Sequence, residues 1–343
     1  MKQKVTNIAV PIITILICFV CLLLLAGKNP LDGLRVFFIS IFGSVNGIAE
    51  ACAQATPLLL CSLGIALSYR TGYFNCGGEG QICMGALASA IVALNTQGIP
   101  SVFRIILAMV FAMAAGGLWS LIPALLKRSF GISEVITGIM LNYVATMVVG
   151  VMLRGPLQEP GSIQARTRMF DAGGTLPKIL GATRLDFGFI IALLAFVVTW
   201  FIIKKTKVGY EMRVTGLNVR AAYCGGVPTI RTMFLAALFS GGFCALAGVE
   251  ATMGVHQRLL EGITGNNGWN GIMVALLADN DPVMVLIISF IIGGVQAGAN
   301  GMKNLMGIPS SIVSILLGVL VIVVLFKEFR NIFLENRKTR AAK

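Results

Sequence analysis

Amide and carboxyl side chains gather at two places where glycines interrupt an otherwise apolar chain. Residues 69–81 contain four glycines with an asparagine, a glutamate and a glutamine, and a tryptophan and an asparagine follow the glycine at position 268. Amide and indole groups suit a neutral solute that carries hydroxyl groups or a base, whereas a strongly anionic solute would require Arg or Lys. The pattern predicts a path for such a solute, lined by Asn75, Glu79, Gln81, Asn142, Trp269 and Asn270.

Two other interpretations of these residues remain open. Short solvent loops are rich in glycine and asparagine in any protein, so residues 69–81 also fit an ordinary loop. The amides also fit a structural role, in which they satisfy broken helices and contacts between helices. Hydrophobicity resumes directly at Ile82, and polar backbone beside membrane-length helices is tolerated only where it is buried or lines a wet cavity. We therefore favour a discontinuous helix here.

The sequence contains no pattern that is typical of a catalytic or metal-binding site. The only Gly-Lys pair, Gly27-Lys28, is followed by Asn29, so the chain lacks the loop that cradles ATP phosphates. It contains neither His-Glu-x-x-His nor Gly-x-Ser-x-Gly. With one histidine, His256, and eight cysteines that we interpret as small buried hydrophobic residues, we expect no metal site, no cofactor and no enzymatic activity.

The composition excludes an ordinary soluble domain. Of the 343 residues, 57% are hydrophobic and 12% are charged, whereas charged residues make up roughly 25% of an average soluble domain. A net charge of +13 would suggest nucleic acid in a soluble protein, but the excess of Lys and Arg in cytoplasmic loops explains it better. We predict an all-α polytopic membrane protein that contacts lipid and has no nucleic-acid partner. The 40 glycines favour a compact bundle, because small residues let helices approach closely.

Apolar segments predict about ten membrane-spanning helices, some of them discontinuous. The segments cover residues 8–26, 52–68, 82–94, 105–126, 135–153, 187–203, 233–250, 269–278, 283–296 and 312–326. Two of them, 82–94 and 269–278, are short and bracketed by glycine. They occupy matching places in two halves, 52–153 and 187–327, which indicates a weak internal repeat with a site at its interface. Chance similarity between apolar segments is the alternative.

A single transmembrane domain over residues 1–343 accommodates all of these segments. It begins with an N-terminal helix within 1–30 and ends in a basic tail, 328–343. Lys and Arg are more frequent in the segments predicted to be cytoplasmic, which include both termini and residues 204–231. The polar stretch 154–186 is then an external loop. Residues 204–231 include a short amphipathic piece that is either a solvated linker or a docking helix for a cytoplasmic partner that supplies energy.

Four motifs then make the chain recognisable. Residues 73–86, Tyr-Phe-Asn-Cys-Gly-Gly-Glu-Gly-Gln-Ile-Cys-Met-Gly-Ala, resemble the signature FNIGAEGQ…MGA, and residues 133–143, Ser-Glu-Val-Ile-Thr-Gly-Ile-Met-Leu-Asn-Tyr, resemble NEVISTIMLNY. Residues 209–227 resemble GxxxRAVGxNPEAARYAGI, and residues 268–277 resemble GFxGIAVALL. In this order, over residues 52–326, the motifs resemble those of bacterial ABC import permeases of the ribose, simple-sugar and nucleoside branch, and most of all its nucleoside permeases.

The resemblance implies a permease subunit of an ATP-driven importer in the bacterial cytoplasmic membrane. Nucleosides are the implied substrate, and ribose or another simple sugar is the alternative. Members of this branch work with a separate ABC ATPase subunit, a second and different permease chain, and an extracytoplasmic substrate-binding lipoprotein. An ion-coupled secondary transporter is a less favoured interpretation, because such proteins more often bury acidic pairs for ion coupling.

The resemblance also implies that residues 209–227 contact the ATPase. The positions carried over are Glu211, Arg213, Asn218, Arg220, Ala221, Ala222 and Gly226. Arg220 stands where the motif has glutamate, which affects any specific salt bridge to the ATPase but not the docking itself. Val219 replaces the usual proline before the coupling helix, and Cys76 replaces a branched apolar residue in the first motif.

Overall fold

A computed structural model describes residues 20, 21, 23, 24, 27–181, 183–308, 315 and 318. The predicted spans over 8–26 and 312–326 lie largely outside the described residues, and the predicted basic tail 328–343 lies wholly outside them. The helices of the described part are α1 (Pro30–Phe42), α2 (Val45–Tyr69), α3 (Gly78–Asn95), α4 (Ser101–Phe130), α5 (Glu134–Arg154), α6 (Gly188–Lys205), α7 (Lys207–Leu217), α8 (Val219–Cys224), α9 (Thr229–Val249), α10 (Asn267–Leu277) and α11 (Pro282–Met306).

The prediction of an all-α polytopic membrane protein is confirmed. Six helices of the described part are long and apolar enough to cross a membrane: α2, α4, α5, α6, α9 with its continuation, and α11. The continuation of α9 is a π-helix, Glu250–His256. Within the described residues, β-structure is limited to two isolated bridges, Arg166 with Leu260 and Lys178 with Asp186. The count of about ten spans stays a prediction.

The first of two compact units comprises residues 1–51 and 294–343. Its described part contains α1, the start of α2 and the second half of α11. Asn29 caps α1 by accepting a hydrogen bond from the Leu31 amide at 3.0 Å, and a proline begins the helix, where its missing N–H costs nothing. Apolar side chains of α1 and α11 form small clusters in this unit, and one of these clusters is made by Ile41, Ala51 and Ala297.

The second unit, residues 52–293, is built around α3, α4 and α9. These three helices pack closely because glycine stands at their crossings. A Cβ atom on Gly241 of α9 would lie 2.3 Å from the Gly116 carbonyl oxygen of α4, and a Cβ atom on Gly85 of α3 would lie 2.4 Å from the Ala245 carbonyl oxygen of α9. Only glycine permits backbones to approach this closely, so part of the high glycine content serves the centre of this unit.

Several helices begin or end at residues other than those predicted. α2 begins at Val45 and not at 52, and α3 begins at Gly78 and not at 82, so the interruption is residues 70–77. The polar residues Glu79 and Gln81 look like loop residues in the sequence. They occupy the first turn of α3 because partners within the unit satisfy their side chains, as described below.

The second half differs in the same way. The span predicted to end at 250 continues as the π-helix to His256, and α11 runs past 296 to Met306. Residues 204–231 contain two helices, α7 and α8, joined at Asn218, whose side chain accepts a hydrogen bond from the Ala221 amide at 3.1 Å. An asparagine at this position caps the new helix, and a second helix therefore starts without a proline.

A buried arginine fastens the long loop that follows α5. Arg104 of α4 is only 1% exposed, and its guanidinium lies 2.7 and 2.5 Å from the two carboxylate oxygens of Asp171. It also donates a hydrogen bond to the Ala93 carbonyl at the end of α3. The loop meets the helices just before the 3₁₀ turn Ala172–Gly174. The sequence did not reveal this ion pair, because Arg104, directly before the apolar segment 105–126, and Asp171 are 67 residues apart.

Candidate functional site

The interruption between α2 and α3 is closed by a buried pair of amides. The Asn75 side-chain amide donates to the Gln81 carbonyl oxygen at 2.9 Å, and the Gln81 amide donates back to the Asn75 oxygen at 2.9 Å. Asn75 also donates to the Ser240 hydroxyl of α9 at 2.7 Å and accepts from the Gly77 amide at 2.9 Å. Both amide side chains are almost fully buried. This pair ties the interruption to the first turn of α3 and to α9.

Asn142 of α5 also connects the interruption to the start of α3. Its side-chain oxygen accepts a hydrogen bond from the Gly80 amide at 2.8 Å, and its amide donates to the Cys76 carbonyl at 3.0 Å. The start of a helix leaves backbone N–H groups without partners inside the helix. Asn142 satisfies one such group of α3 and one carbonyl of the interruption.

Glu79 joins the first turns of the two short helices. Its carboxylate accepts hydrogen bonds from the backbone amides of Gly268 and Trp269 at 2.9 and 3.2 Å. It therefore satisfies amides at the start of α10, where a negative charge is favoured by the helix dipole. A Cβ atom on Gly268 would lie 2.4 Å from the Glu79 amide nitrogen, so glycine at 268 is required for the two helix starts to meet.

The structure brings four of the six predicted path residues together. Asn75, Glu79, Gln81 and Asn142 all lie buried around the start of α3. Trp269 and Asn270 stand in the first turn of α10, and the Trp269 side chain is exposed. In this arrangement the four buried side chains bond to backbone and to one another, as the structural interpretation of these residues requires. Their role in lining a path stays a prediction.

Two further polar contacts at the interruption were missed. Glu134, at the start of α5, accepts from the Lys127 ammonium at 2.5 Å and from the Phe74 amide at 3.4 Å. Ser240 bonds to Asn75, as described above. Glu134 lies within the second motif, residues 133–143, so the motif was a usable signal for it. Ser240 stands in an apolar helix among small residues, and no pattern in the sequence distinguishes it.

A cavity with a mixed polar and apolar lining borders the interruption on the side of α7 and α8. Its volume is about 260 Å³. It is lined in part by Thr71, Tyr73, Lys127, Thr215 and Thr229. None of the six predicted path residues is among the residues that line it. The cavity therefore lies next to the cluster of buried amides and is separate from it.

The predicted coupling residues divide into a buried and an exposed group. In α8, Arg220 and Ala221 are exposed whereas Ala222 is buried, and Gly226 follows in an exposed turn with a positive φ of 79°. In α7 and at its end, Glu211 and Arg213 are half-buried and Asn218 is exposed. The exposed members lie at the junction of α7 and α8, at the start of α8 and in the turn after it. The docking role of this segment stays a prediction.

The chain also resembles a known family along most of its length. Residues 47–325 match the model of a family described as "Branched-chain amino acid transport system / permease component". The chain belongs to this permease family. The permease is therefore a transport component that passes through a membrane several times, and the family inferred from the four motifs is confirmed.

Individual relatives of the permease carry more specific names. The permease is 33% identical over 332 residues to the guanosine ABC transporter permease protein NupP of Bacillus subtilis, covering 94% of each chain. It is 31% identical over 350 residues to the nucleoside ABC transporter permease protein NupB of Lactococcus lactis, covering 98% of the permease and 96% of NupB. It is 29% identical over 311 residues to the glucose ABC transporter permease protein TsgB13 of Haloferax volcanii, covering 88% and 82%.

A solved structure supports the fold of the permease. The chain superposes on one from PsaBC of Streptococcus pneumoniae in complex with Fab with a TM-score of 0.51, covering 84% of the permease and 95% of that chain. The two sequences are 13% identical, so this likeness concerns the fold alone.

Proposed function

We propose that the permease is the transmembrane subunit of an ATP-driven importer that moves nucleosides across the bacterial cytoplasmic membrane. One observation carries this proposal: the likeness to NupP and NupB extends over nearly the whole length of all three chains. The buried amide groups near the interruption fit a neutral solute with hydroxyl groups and a base. Import of ribose or another simple sugar is the second candidate, and the likeness to TsgB13 favours it.

The path for the solute runs past Asn75, Glu79, Gln81 and Asn142 and along the first turn of α10 at Trp269 and Asn270. The Asn75–Gln81 pair supplies a donor and an acceptor that satisfy each other while no solute is present. Opening of the path exchanges these bonds for bonds to the nucleoside. Because the amides are satisfied in both states, the exchange leaves no buried polar group without a partner.

ATP hydrolysis takes place on a separate ABC ATPase subunit, which docks on residues 209–227. A second, different permease chain completes the pathway, and an extracytoplasmic binding lipoprotein delivers the solute to the side of the 154–186 loop. The permease forms one transmembrane domain over residues 1–343 with about ten spans and both termini in the cytoplasm. The larger number of Lys and Arg residues near the termini and in 204–231 supports this orientation.

Uptake of labelled uridine tests the substrate. We expect cells without the permease to lose uptake, and a plasmid copy to restore it. Excess unlabelled adenosine should compete, and excess ribose should not. Uridine uptake that is unchanged without the permease would contradict the proposal, and loss of labelled ribose uptake in the same cells would favour the sugar alternative.

A pair of glutamine variants tests the path. Gln81→Leu removes a donor and an acceptor from the buried pair, whereas Gln97→Leu makes the same change at an exposed position between α3 and α4. We expect uridine uptake to fall about ten-fold or more in Gln81→Leu, because the lost hydrogen bonds are buried, and to stay at the wild-type level in Gln97→Leu. Immunoblots of membranes check that both variants are present in equal amounts. Wild-type uptake by Gln81→Leu would remove Gln81 from the path.

A further inference from the structure

Arg70 holds the turn that follows α10. It is the first residue after α2, and its side chain is half-buried. Its guanidinium donates from Nε to the Asn280 carbonyl at 3.0 Å and from Nη2 to the Asp279 carbonyl at 3.1 Å. Asp279 and Asn280 have positive φ values of 49° and 54°, a conformation that non-glycine residues seldom adopt. A cation near the end of a helix is also favoured by the helix dipole.

The backbone of Arg70 lies directly against the proposed coupling segment. A Cβ atom on Gly216 of α7 would lie 2.1 Å from the Arg70 carbonyl oxygen and 3.4 Å from the Gly72 amide nitrogen. Gly72 itself has a φ of 77°. The end of α7 therefore touches the first residues of the interruption without any side chain in between, and a movement of α7 displaces them directly.

The same turn is also held by the last turn of α6, which directly precedes α7. Lys204, three residues before α7 begins, lies 3.2 Å from the Asp281 carboxylate. Asp281 in turn accepts from the Val283 amide at 3.0 Å. The turn over residues 279–281 is thus connected to the end of α6, directly before α7, through Lys204, and to the end of α7 through Arg70 and Gly216.

α10 is consequently held at both of its ends. Glu79 bonds to its first amides, and Arg70 bonds to the turn after its last residue. We propose that Arg70 is a positioning residue that transmits movement of the α7–α8 segment to α10 and, through Glu79, to the buried amides at the start of α3. This inference rests on the proposed function, since the ATPase supplies the movement.

The test compares transport with ATP hydrolysis in the complete complex of both permeases, the ATPase and the binding lipoprotein, reconstituted in liposomes. The quantity measured is the number of uridine molecules imported per ATP hydrolysed. We expect Arg70→Gln to lower this ratio about ten-fold, within the range that coupling between distant sites spans. Arg70→Lys should restore part of it, because lysine keeps the charge but not the fork of donors. Arg35→Gln, an exposed arginine on α1, is the control and should keep the wild-type ratio.

Hydrogen exchange of the same complexes separates transmission from a loss of structure. In the wild type, a non-hydrolysable ATP analogue should change exchange both in α7 and in residues 278–281. In Arg70→Gln the change in α7 should persist and that in residues 278–281 should disappear. A merely structural role would alter exchange in the turn regardless of nucleotide.

Three outcomes overturn the inference. A wild-type ratio in Arg70→Gln overturns it directly. If that variant does not assemble, Gly216→Ala decides, because its Cβ separates α7 from Arg70. The control for this variant is Gly294→Ala, where a Cβ meets no atom within 4 Å. If Gly216→Ala imports as many uridine molecules per ATP as the wild type and this control, the inference is overturned as well. A wild-type complex that hydrolyses ATP but imports neither uridine nor ribose overturns the proposed function, and the inference with it.

Discussion

At the scale of single residues, the polar side chains around the start of α3 are buried against other polar groups that bond to them. Asn75 and Gln81 bond to each other, Asn142 bonds to backbone on both sides of the start of α3, and Glu79 bonds to two amides of α10. A buried amide without a partner costs about 1–3 kcal/mol. The cost of breaking any one of these contacts therefore holds the interruption in a defined conformation.

The ion pair of Arg104 and Asp171 provides a test of one buried charge. Asp171→Asn leaves the Arg104 guanidinium buried with a weaker partner, and we expect a loss of about 1–3 kcal/mol in unfolding free energy. Glu261→Gln removes the carboxylate of the exposed pair with Arg154 and is the matched control, with an expected loss of about 0–1 kcal/mol. Thermal unfolding of the two purified variants in detergent measures the difference. Equal losses would contradict this account.

The same pair predicts a dependence on pH. Hydrogen bonding from Arg104 holds the pKa of Asp171 below its usual range. A carboxyl whose pKa is lowered by folding contributes stability above its unfolded pKa of about 3.9, and this contribution is lost as the pH falls through the folded pKa. The gap in unfolding temperature between wild type and Asp171→Asn should therefore be constant near pH 7 and shrink below about pH 4. A gap that persists in acid would show that the charge of Asp171 is not its cause.

At the scale of secondary structure, glycine determines which helices form the centre of the second unit. α3 is short, but most of its residues are buried, since α4 and α9 approach it at glycines. Segment 82–94 looked too short to span in the sequence. It is the buried part of an 18-residue helix whose first turn is polar and satisfied from outside. Tertiary contacts thus override local polarity at the start of this helix.

Gly241→Ala tests this close approach. Its Cβ atom would lie 2.3 Å from the Gly116 carbonyl oxygen, and backbone cannot yield as a flexible side chain can. We expect a loss of about 1–3 kcal/mol in unfolding free energy. Gly294→Ala is the control, because a Cβ there meets no atom within 4 Å and alanine favours a helix by about 1 kcal/mol. A Gly241→Ala protein as stable as the control would show that α4 and α9 do not need to approach this closely.

At the scale of the whole molecule, the family of the permease and its short helices α7 and α8 both bear on which subunit hydrolyses ATP. The permease lacks the motif that cradles ATP phosphates, and its relatives are ABC transporter permeases. From Asn218 to Gly226 every residue except Ala222 is exposed, and we propose this stretch as the surface that docks the ATPase. A side chain next to it, Arg213, has a buried Nη1 with no hydrogen-bond partner in the described part of the chain.

Charge reversal tests this docking surface. In a variant with Arg213→Glu and Arg220→Glu, we expect co-purification of the ATPase to fall about ten-fold or more, because reversed charges at an interface repel the groups that matched the original ones. Arg35→Glu on α1 carries the same type of change at a distant exposed site. Unchanged co-purification of the ATPase with the double variant would contradict the assignment of residues 209–227 as the coupling segment.

The sequence by itself determined the class of the protein, its family and the position of its polar interruption. These follow from composition, from runs of apolar residues and from motifs, which are local and can be read along the chain. Only the tertiary structure decided where the helices begin and which groups the polar residues bond. Glu79 bonds to amides at positions 268 and 269, and Arg70 to carbonyls at 279 and 280. Such partners are distant in sequence, and a one-dimensional pattern holds no record of which residues folding brings together.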